Sequence, residues 1–151
     1  WGFIPRVWND GFFRLDRNEV VPLSNEVEIT YWTKWHQMMA PVKTFIDKGY
    51  QVINFNDNYL YYVLGENAGY TYPTYERTRL EWTPEIFAQK QFVDECSGVA
   101  FSVWSDRPDA QSQETVVENV GLNLLALMQK LTGTVFLTKN QAQELLEKFK
   151  R

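Results

Sequence analysis

One cysteine, Cys96, and one histidine, His36, leave the chain without the parts of most familiar reactive centres. A lone cysteine allows no internal disulfide and no cysteine metal cluster, and does not by itself fix the redox compartment. With one histidine, a Ser-His-Asp or Cys-His engine has little to draw on, and a zinc site lacks ligands. His36 follows Trp32 and Trp35 and is expected at the surface or in packing. Positive charge is also short. Fifteen Lys and Arg face nineteen Asp and Glu, a formal net charge of −4. Nucleic acids and anionic membranes need a basic footprint, and Arg6, Arg77, Arg79 and Arg107 are scattered, so neither partner is expected. No apolar run approaches the ~20 residues that span a bilayer. There is no Gly-x-Gly-x-x-Gly and no phosphate loop, and no cofactor is expected. No secretory leader is recognisable. The opening Trp-Gly-Phe reads as the cut end of a longer protein.

Aromatic residues are abundant instead. Six Trp, eight Tyr and ten Phe make up 16% of 151 residues, a length that gives one domain with a real core. Many must fill that core, where aromatics dominate the energetics. Their placement is nevertheless ordered: Trp or Tyr tends to stand at the end of an apolar run. Flat rings at strand ends make walls for sugars, whose C–H faces pack on aromatic planes.

In chain order, Phe3–Trp8 reads as a short strand limited by Pro5, with a turn at Asn9-Asp10-Gly11. Residues 11–26 read as loop, and Val27–Trp32 as a second strand. Pro41, the apolar face Val42, Phe45 and Ile46, and Gly49 frame a helix. Gln51–Phe55 is the third strand. Residues 65–81, with Gly65, Gly69 and Pro73, read as a long loop, and Thr83-Pro84-Glu85 as a helix start. Val99–Trp104 is the fourth strand. Val116, Val117, Val120, Leu124, Leu127, Met128 and Leu131 recur at helical spacing, read as core, before a stop at Gly133. Thr138 and Gln141 form a capping box for a last helix. Lys148–Arg151 reads as a solvated helix end. Strands alternating with helices imply a parallel sheet with right-handed crossovers. Four such units fit a small open sheet or half of an eight-stranded barrel, in which strand ends converge on one mouth.

Four segments carry a family resemblance: Arg6-Val7-Trp8-Asn9-Asp10; the strand ending in Trp32; Gly49–Asn54 followed by Asn58-Tyr59-Leu60; and Gly98–Asp106. In order and spacing they resemble the second half of the catalytic barrel of β-N-acetylhexosaminidases, glycoside hydrolase family 20, with a flavour of the streptococcal cell-surface type. The resemblance covers about residues 3–132. It implies the fold of strands five to eight of a (β/α)8 TIM barrel, so that residues 1–151 form an incomplete domain whose partner is the N-terminal half. It implies retaining hydrolysis of terminal β-linked N-acetylglucosamine or N-acetylgalactosamine, with the substrate's own acetamido oxygen as nucleophile. Carried over residue by residue, Tyr59 is the catalytic residue that hydrogen-bonds that oxygen. Trp8, Trp32 and Trp82 wall the acetamide pocket, Trp104 stacks under the sugar, and Asp106 accepts from its hydroxyls. An extracellular or cell-wall location follows from the family alone.

Three departures bear on this. Many family members carry Tyr-x-Asp where this chain has Tyr59-Leu60-Tyr61, and Trp-x-Glu where it has Trp104-Ser105-Asp106. The family's Asp-Glu acid/base pair follows a His-x-Gly pattern that is absent here. Asp94-Glu95 precedes a strand and reads as a solvated pair, so the acid is expected on a preceding segment and this chain alone is expected to be inactive. The competing reading is a carbohydrate-binding domain with no chemistry. An isolated half barrel exposes two sheet edges, an aggregation hazard, so the chain is expected to need its other half to fold stably.

Overall fold

Local sequence signals set most of the elements. A computed structural model describes residues 2–19, 22–65 and 71–149. Gly69 of the expected loop and Lys150-Arg151 of the expected solvated helix end lie outside them. In chain order the elements are β1 (Arg6–Trp8), a 3-10 turn (Asn9–Gly11), β2 (Glu28–Tyr31), α1 (Val42–Asp47), β3 (Val52–Asn54), β4 (Tyr61–Val63), α2 (Tyr75–Glu81), β5 (Ile86–Phe87), a second 3-10 turn (Ala88–Lys90), β6 (Gln91–Phe92), β7 (Gly98–Val99), β8 (Ser102–Trp104), α3 (Gln113–Thr132) and α4 (Lys139–Phe149). They fall into two compact units, Trp1–Asp57 with Pro84–Ala100, and Asn58–Thr83 with Phe101–Arg151. The class is mixed α/β with parallel strands, as the alternation of elements predicts.

The first unit is built on a four-stranded sheet in the order β1-β2-β3-β7, parallel throughout. Pro5 cannot donate to a ladder, and β1 begins immediately after it; the Pro5 carbonyl instead accepts from the Glu28 amide at 2.9 Å. Ile29, Tyr31 and Val52 bury against Val42 and Phe45 of α1 and against Phe87. Each such side chain is worth about 1.5–3 kcal/mol relative to exposure. Pro41 stands at the N-cap of α1 with φ −64°, and the orphan amide of Val42 finds Gln91 Oε1 at 2.9 Å. Gly49 adopts φ +85° and turns the chain straight into β3. Asp94 and Glu95 are exposed just before β7, as expected of a solvated pair.

The second unit pairs β4 with β8 in parallel, Tyr61 opposite Ser102 and Val63 opposite Trp104. Its helices follow their caps. Ser112 Oγ accepts from the Thr115 amide at 3.3 Å at the start of α3, and Gly133 ends that helix in the left-handed region at φ +65°. The capping box of α4 is reciprocal: the Thr138 amide donates to Gln141 Oε1 at 2.8 Å, and the Gln141 amide to Thr138 Oγ1 at 3.3 Å. Tyr75, Leu122, Ala126 and Ala142 form one buried cluster of this unit.

The structure corrects four expectations. No helix starts at Thr83; residues 84–85 turn into β5, and the helix of this region is α2, capped by Thr74 Oγ1 accepting from the Arg77 amide at 3.2 Å. Residues 65–81 are therefore not all loop. Tyr61–Val63, to which the sequence reading assigns no element, is a buried strand. The run Val99–Trp104 is not one strand. The Ala100 amide makes the last bond to β3, at Asn54 O, and the Ser102 amide the first to Leu60 O, so the ladder partner changes within two residues. Finally, α3 is not all core: Val117, Leu124, Met128 and Leu131 are exposed. At 100° per residue they lie within about 60° of one another, a single bare stripe.

Candidate functional site

Side chains at the carboxyl ends of parallel strands share one edge of the sheet, which is where α/β sheets place ligands. In the first unit that edge is aromatic. Trp8 is the last residue of β1, Trp32 follows β2, and Phe55 follows β3. The rings meet edge to face: Trp8 lies 6.3 Å from Trp32 and 5.4 Å from Phe55, and Trp35 lies 4.9 Å from Trp32. Trp8 remains 41% exposed. Two polar residues of the turn after β1 fix the Trp32 indole. Asp10 Oδ1 accepts from Trp32 Nε1 at 3.1 Å. The buried Asn9 carboxamide accepts from the Trp32 amide at 3.0 Å and donates to Thr33 O at 2.8 Å. The indole is thus held by both its backbone and its ring nitrogen, which removes rotamer freedom before a ligand arrives.

The second unit holds the remaining predicted residues. Tyr59 is buried, and its phenol donates to Glu81 Oε2 at 3.3 Å. The Arg77 guanidinium lies 4.6 Å over the Tyr59 ring, and its Nε is 3.5 Å from that same Glu81 oxygen. Arg77 and Glu81 stand four residues apart on α2, so one helical turn presents both to the phenol. Burial and, after it, the Glu81 charge raise the Tyr59 phenol above the usual tyrosine range, against the opposing pull of Arg77, so it remains a proton donor at neutral pH. α2 is fixed in turn by α3. Asn123 Nδ2 donates to Pro73 O at 2.9 Å, just before the cap of α2, and Tyr75 Oη lies 2.9 Å from Gln129 Oε1 and 2.8 Å from Leu137 O.

Trp104 ends β8 at 38% exposure, its ring 5.6 Å from that of Tyr61. Asp106 is exposed two residues on. Trp82 follows the last residue of α2 and is wholly enclosed, so its ring offers no face to solvent here. The structure brings Trp8 and Trp32 into contact in one unit, and sets Tyr59 with Glu81 and Arg77, and Trp104 with Tyr61, in the other. His36 is exposed, its Nδ1 accepting from the Met38 amide at 3.2 Å. Among the described residues no group of three His, Cys, Asp or Glu side chains is placed to hold a metal, and no helix is long and apolar enough to cross a membrane.

Sequence reasoning missed Asp10, Phe55, Arg77 and Glu81. Asp10 looked like turn chemistry, and Arg77 and Glu81 fell in a stretch read as loop. The Arg77-x-x-x-Glu81 spacing was the available signal. It needs a helix to bring the two together.

No family model matches the chain. Solved structures do. Two are of pneumococcal StrH, a virulence factor that acts in N-glycan recognition and hydrolysis and an exo-β-D-N-acetylglucosaminidase with tandem GH20 catalytic modules. The first matches with TM-score 0.60 over 83% of this chain and 30% of that one, the second with 0.67 over 97% and 36%, each at 25% identity. Dispersin B matches with TM-score 0.64 over 83% of this chain and 42% of its own, again at 25% identity. The chain therefore spans well under half the length of each of these structures. The structural neighbours of the chain are glycoside hydrolase family 20 hexosaminidases, the family its strand-end motifs resemble.

Proposed function

We propose that the chain is the C-terminal half, strands five to eight, of the (β/α)8 catalytic barrel of a retaining exo-β-N-acetylhexosaminidase. The observation that carries the reading is the row of aromatic side chains, Trp8, Trp32 and Phe55, at the carboxyl ends of three adjacent parallel strands. In this reading Trp8 and Trp32 wall the acetamide pocket, Trp104 stacks under the sugar ring, and Asp106 accepts from its hydroxyls. Tyr59 donates its phenol proton to the acetamido oxygen and holds it against the anomeric carbon. Fixing a nucleophile against the reacting carbon replaces a bimolecular encounter with an internal attack, so its translational and rotational entropy is lost before the chemical step. The carboxylic acid that protonates the leaving oxygen belongs to the N-terminal half, which is the partner of this chain. The substrate is a glycan ending in β-linked N-acetylglucosamine or N-acetylgalactosamine, and the enzyme works outside the cell or on its wall.

The test is co-expression of residues 1–151 with the upstream half, assayed on 4-nitrophenyl N-acetyl-β-glucosaminide and its galacto epimer. Hydrolysis by the pair and none by the chain alone is expected. In the active pair Tyr59→Phe lowers kcat by about 100-fold or more, on the scale of a lost transition-state donor, with little change in fold. A pair that binds N-acetylglucosamine without hydrolysing either substrate would instead mark a carbohydrate-binding domain.

A further inference from the structure

The phenol of Tyr59 has one proton, and in this structure it is spent on a carboxylate. Glu81 Oε2 is the acceptor at 3.3 Å, longer than the 2.7–2.8 Å typical of O–H···O bonds. A free carboxylate is a stronger acceptor than an amide oxygen and would keep that proton. Arg77 changes the balance. Its Nε lies 3.5 Å from the same Oε2, and its guanidinium lies 4.6 Å over the phenol ring. One side chain therefore neutralises the rival acceptor and fixes the ring that carries the donor. Both groups are set by α2, whose N-cap and attachment to α3 do not depend on Tyr59.

We propose that Glu81 and Arg77 are positioning residues for Tyr59: Glu81 holds the phenol proton before substrate binds, and Arg77 weakens that hold so that an incoming acetamido oxygen takes it over. No covalent bond changes. The phenol exchanges one acceptor for another while Arg77 keeps the Glu81 charge. The inference rests on the role given to Tyr59 above and names the two residues that tune it.

The test is a set of variants in the full-length protein, with kcat and KM measured on 4-nitrophenyl N-acetyl-β-glucosaminide. Arg77→Met leaves Glu81 unneutralised, and kcat/KM falls about tenfold, on the scale of a hydrogen bond to a charged group. Adding Glu81→Gln to Arg77→Met removes the rival charge and restores kcat/KM to within about threefold of the parent. A role confined to holding the fold predicts no such rescue, because the double variant has lost both ends of the pair. In a Tyr59→Phe background neither substitution changes kcat/KM. Loss on Arg77→Met without rescue, or no loss at all, overturns the inference. Undiminished turnover of Tyr59→Phe itself overturns the underlying role of Tyr59 instead, so the two failures are distinguishable.

Discussion

Asn123 is the residue through which α3 holds the start of α2, and its replacement by leucine gives a sharp test of how the second unit is built. The side chain is 2% exposed. Its Nδ2 donates to Pro73 O at 2.9 Å and to Asn119 O at 2.8 Å, and its Oδ1 lies 3.5 Å from Thr78 Oγ1. Leucine keeps the branch at Cγ and the number of side-chain heavy atoms, so no cavity is left, and its bulkier methyl groups add overpacking to whatever the lost bonds cost. Asn119 O lies four residues before Asn123 on α3 and keeps its intrahelical bond. Pro73 O loses this donor, and the Thr78 hydroxyl loses its Asn123 partner in a buried setting. At about 1–2 kcal/mol for each of these two groups, the lower part of the usual penalty because the Thr78 contact is already long at 3.5 Å, the lost bonds cost about 2–4 kcal/mol. The loss should concentrate in residues 73–81. Hydrogen exchange followed by mass spectrometry on the intact protein should show protection of the α2 amides falling by roughly 30- to 900-fold, the same free energy written as a ratio. Asn123→Asp separates charge from contact. An aspartate here lacks the donor for Pro73 O and sets a carboxylate oxygen against a carbonyl, so its folded pKa rises above the unfolded value of about 3.9. The folded state then favours the protonated form. The variant is least impaired below pH ~4, and stability falls as pH rises from there through the raised folded value. Unchanged protection of α2 in Asn123→Leu, or a variant Asp that improves with rising pH, would refute the reasoning.

Three further outcomes follow from the packing. Gly65 has φ +90°, and a Cβ there would lie 2.6 Å from Arg107 Cβ, so Gly65→Ala should destabilise by about 1–3 kcal/mol in thermal unfolding; Arg107→Gly should recover only part of this, because the backbone strain remains. Tyr31 is fully buried, its hydroxyl donates to Ala40 O at 2.9 Å and accepts from Gln91 Nε2 at 3.0 Å, and burial pushes its pKa far up. Tyr31→Phe should therefore cost about 1–3 kcal/mol by urea unfolding, equally at pH 6 and pH 9, since the phenol stays protonated over that range. Burial raises the pKa of the Cys96 thiol, which donates to Gly98 O at 3.1 Å, so iodoacetamide at pH 8 should alkylate it at least about tenfold more slowly than a free thiol, and raising the pH should speed the reaction.

Elements whose signals are local were legible in the sequence. Ser112, Gly133 and the Thr138–Gln141 box bound α3 and α4 through contacts within three or four residues, and such contacts can be read directly. β2 was legible because Ile29, Thr30 and Tyr31 favour a pleated, covered surface whatever their partners. Pairing decisions were not legible. Nothing within Val99–Trp104 announces that its two ends join different ladders, because the choice is made by Asn54 and Leu60, some forty residues away. α2 was missed because Tyr-Glu-Arg-Thr-Arg-Leu-Glu has little apolar periodicity; its burial rests on Tyr75 and Thr78 meeting Asn123 and Gln129, polar partners that a hydrophobic pattern ignores. For the site, single aromatics at strand ends stood out, and the groups that fix them did not. Trp8 and Trp32 could be picked by residue type, whereas Asp10 becomes meaningful only once the turn after β1 carries it to the Trp32 indole.

The bare stripe of α3 fixes the sign of the salt response that any contact made through it would show. A net charge of −4 over a surface of 9330 Å² gives only thin mutual repulsion, and at physiological ionic strength that repulsion is screened beyond about 8 Å. The attraction between exposed Val117, Leu124, Met128 and Leu131 is not screened at all. Adding salt should therefore drive self-association rather than dissolve it, with sulfate more effective than chloride. Cooling should loosen the same contacts, since apolar association weakens as temperature falls. An assembly held by ion pairs would respond to added salt in the opposite sense.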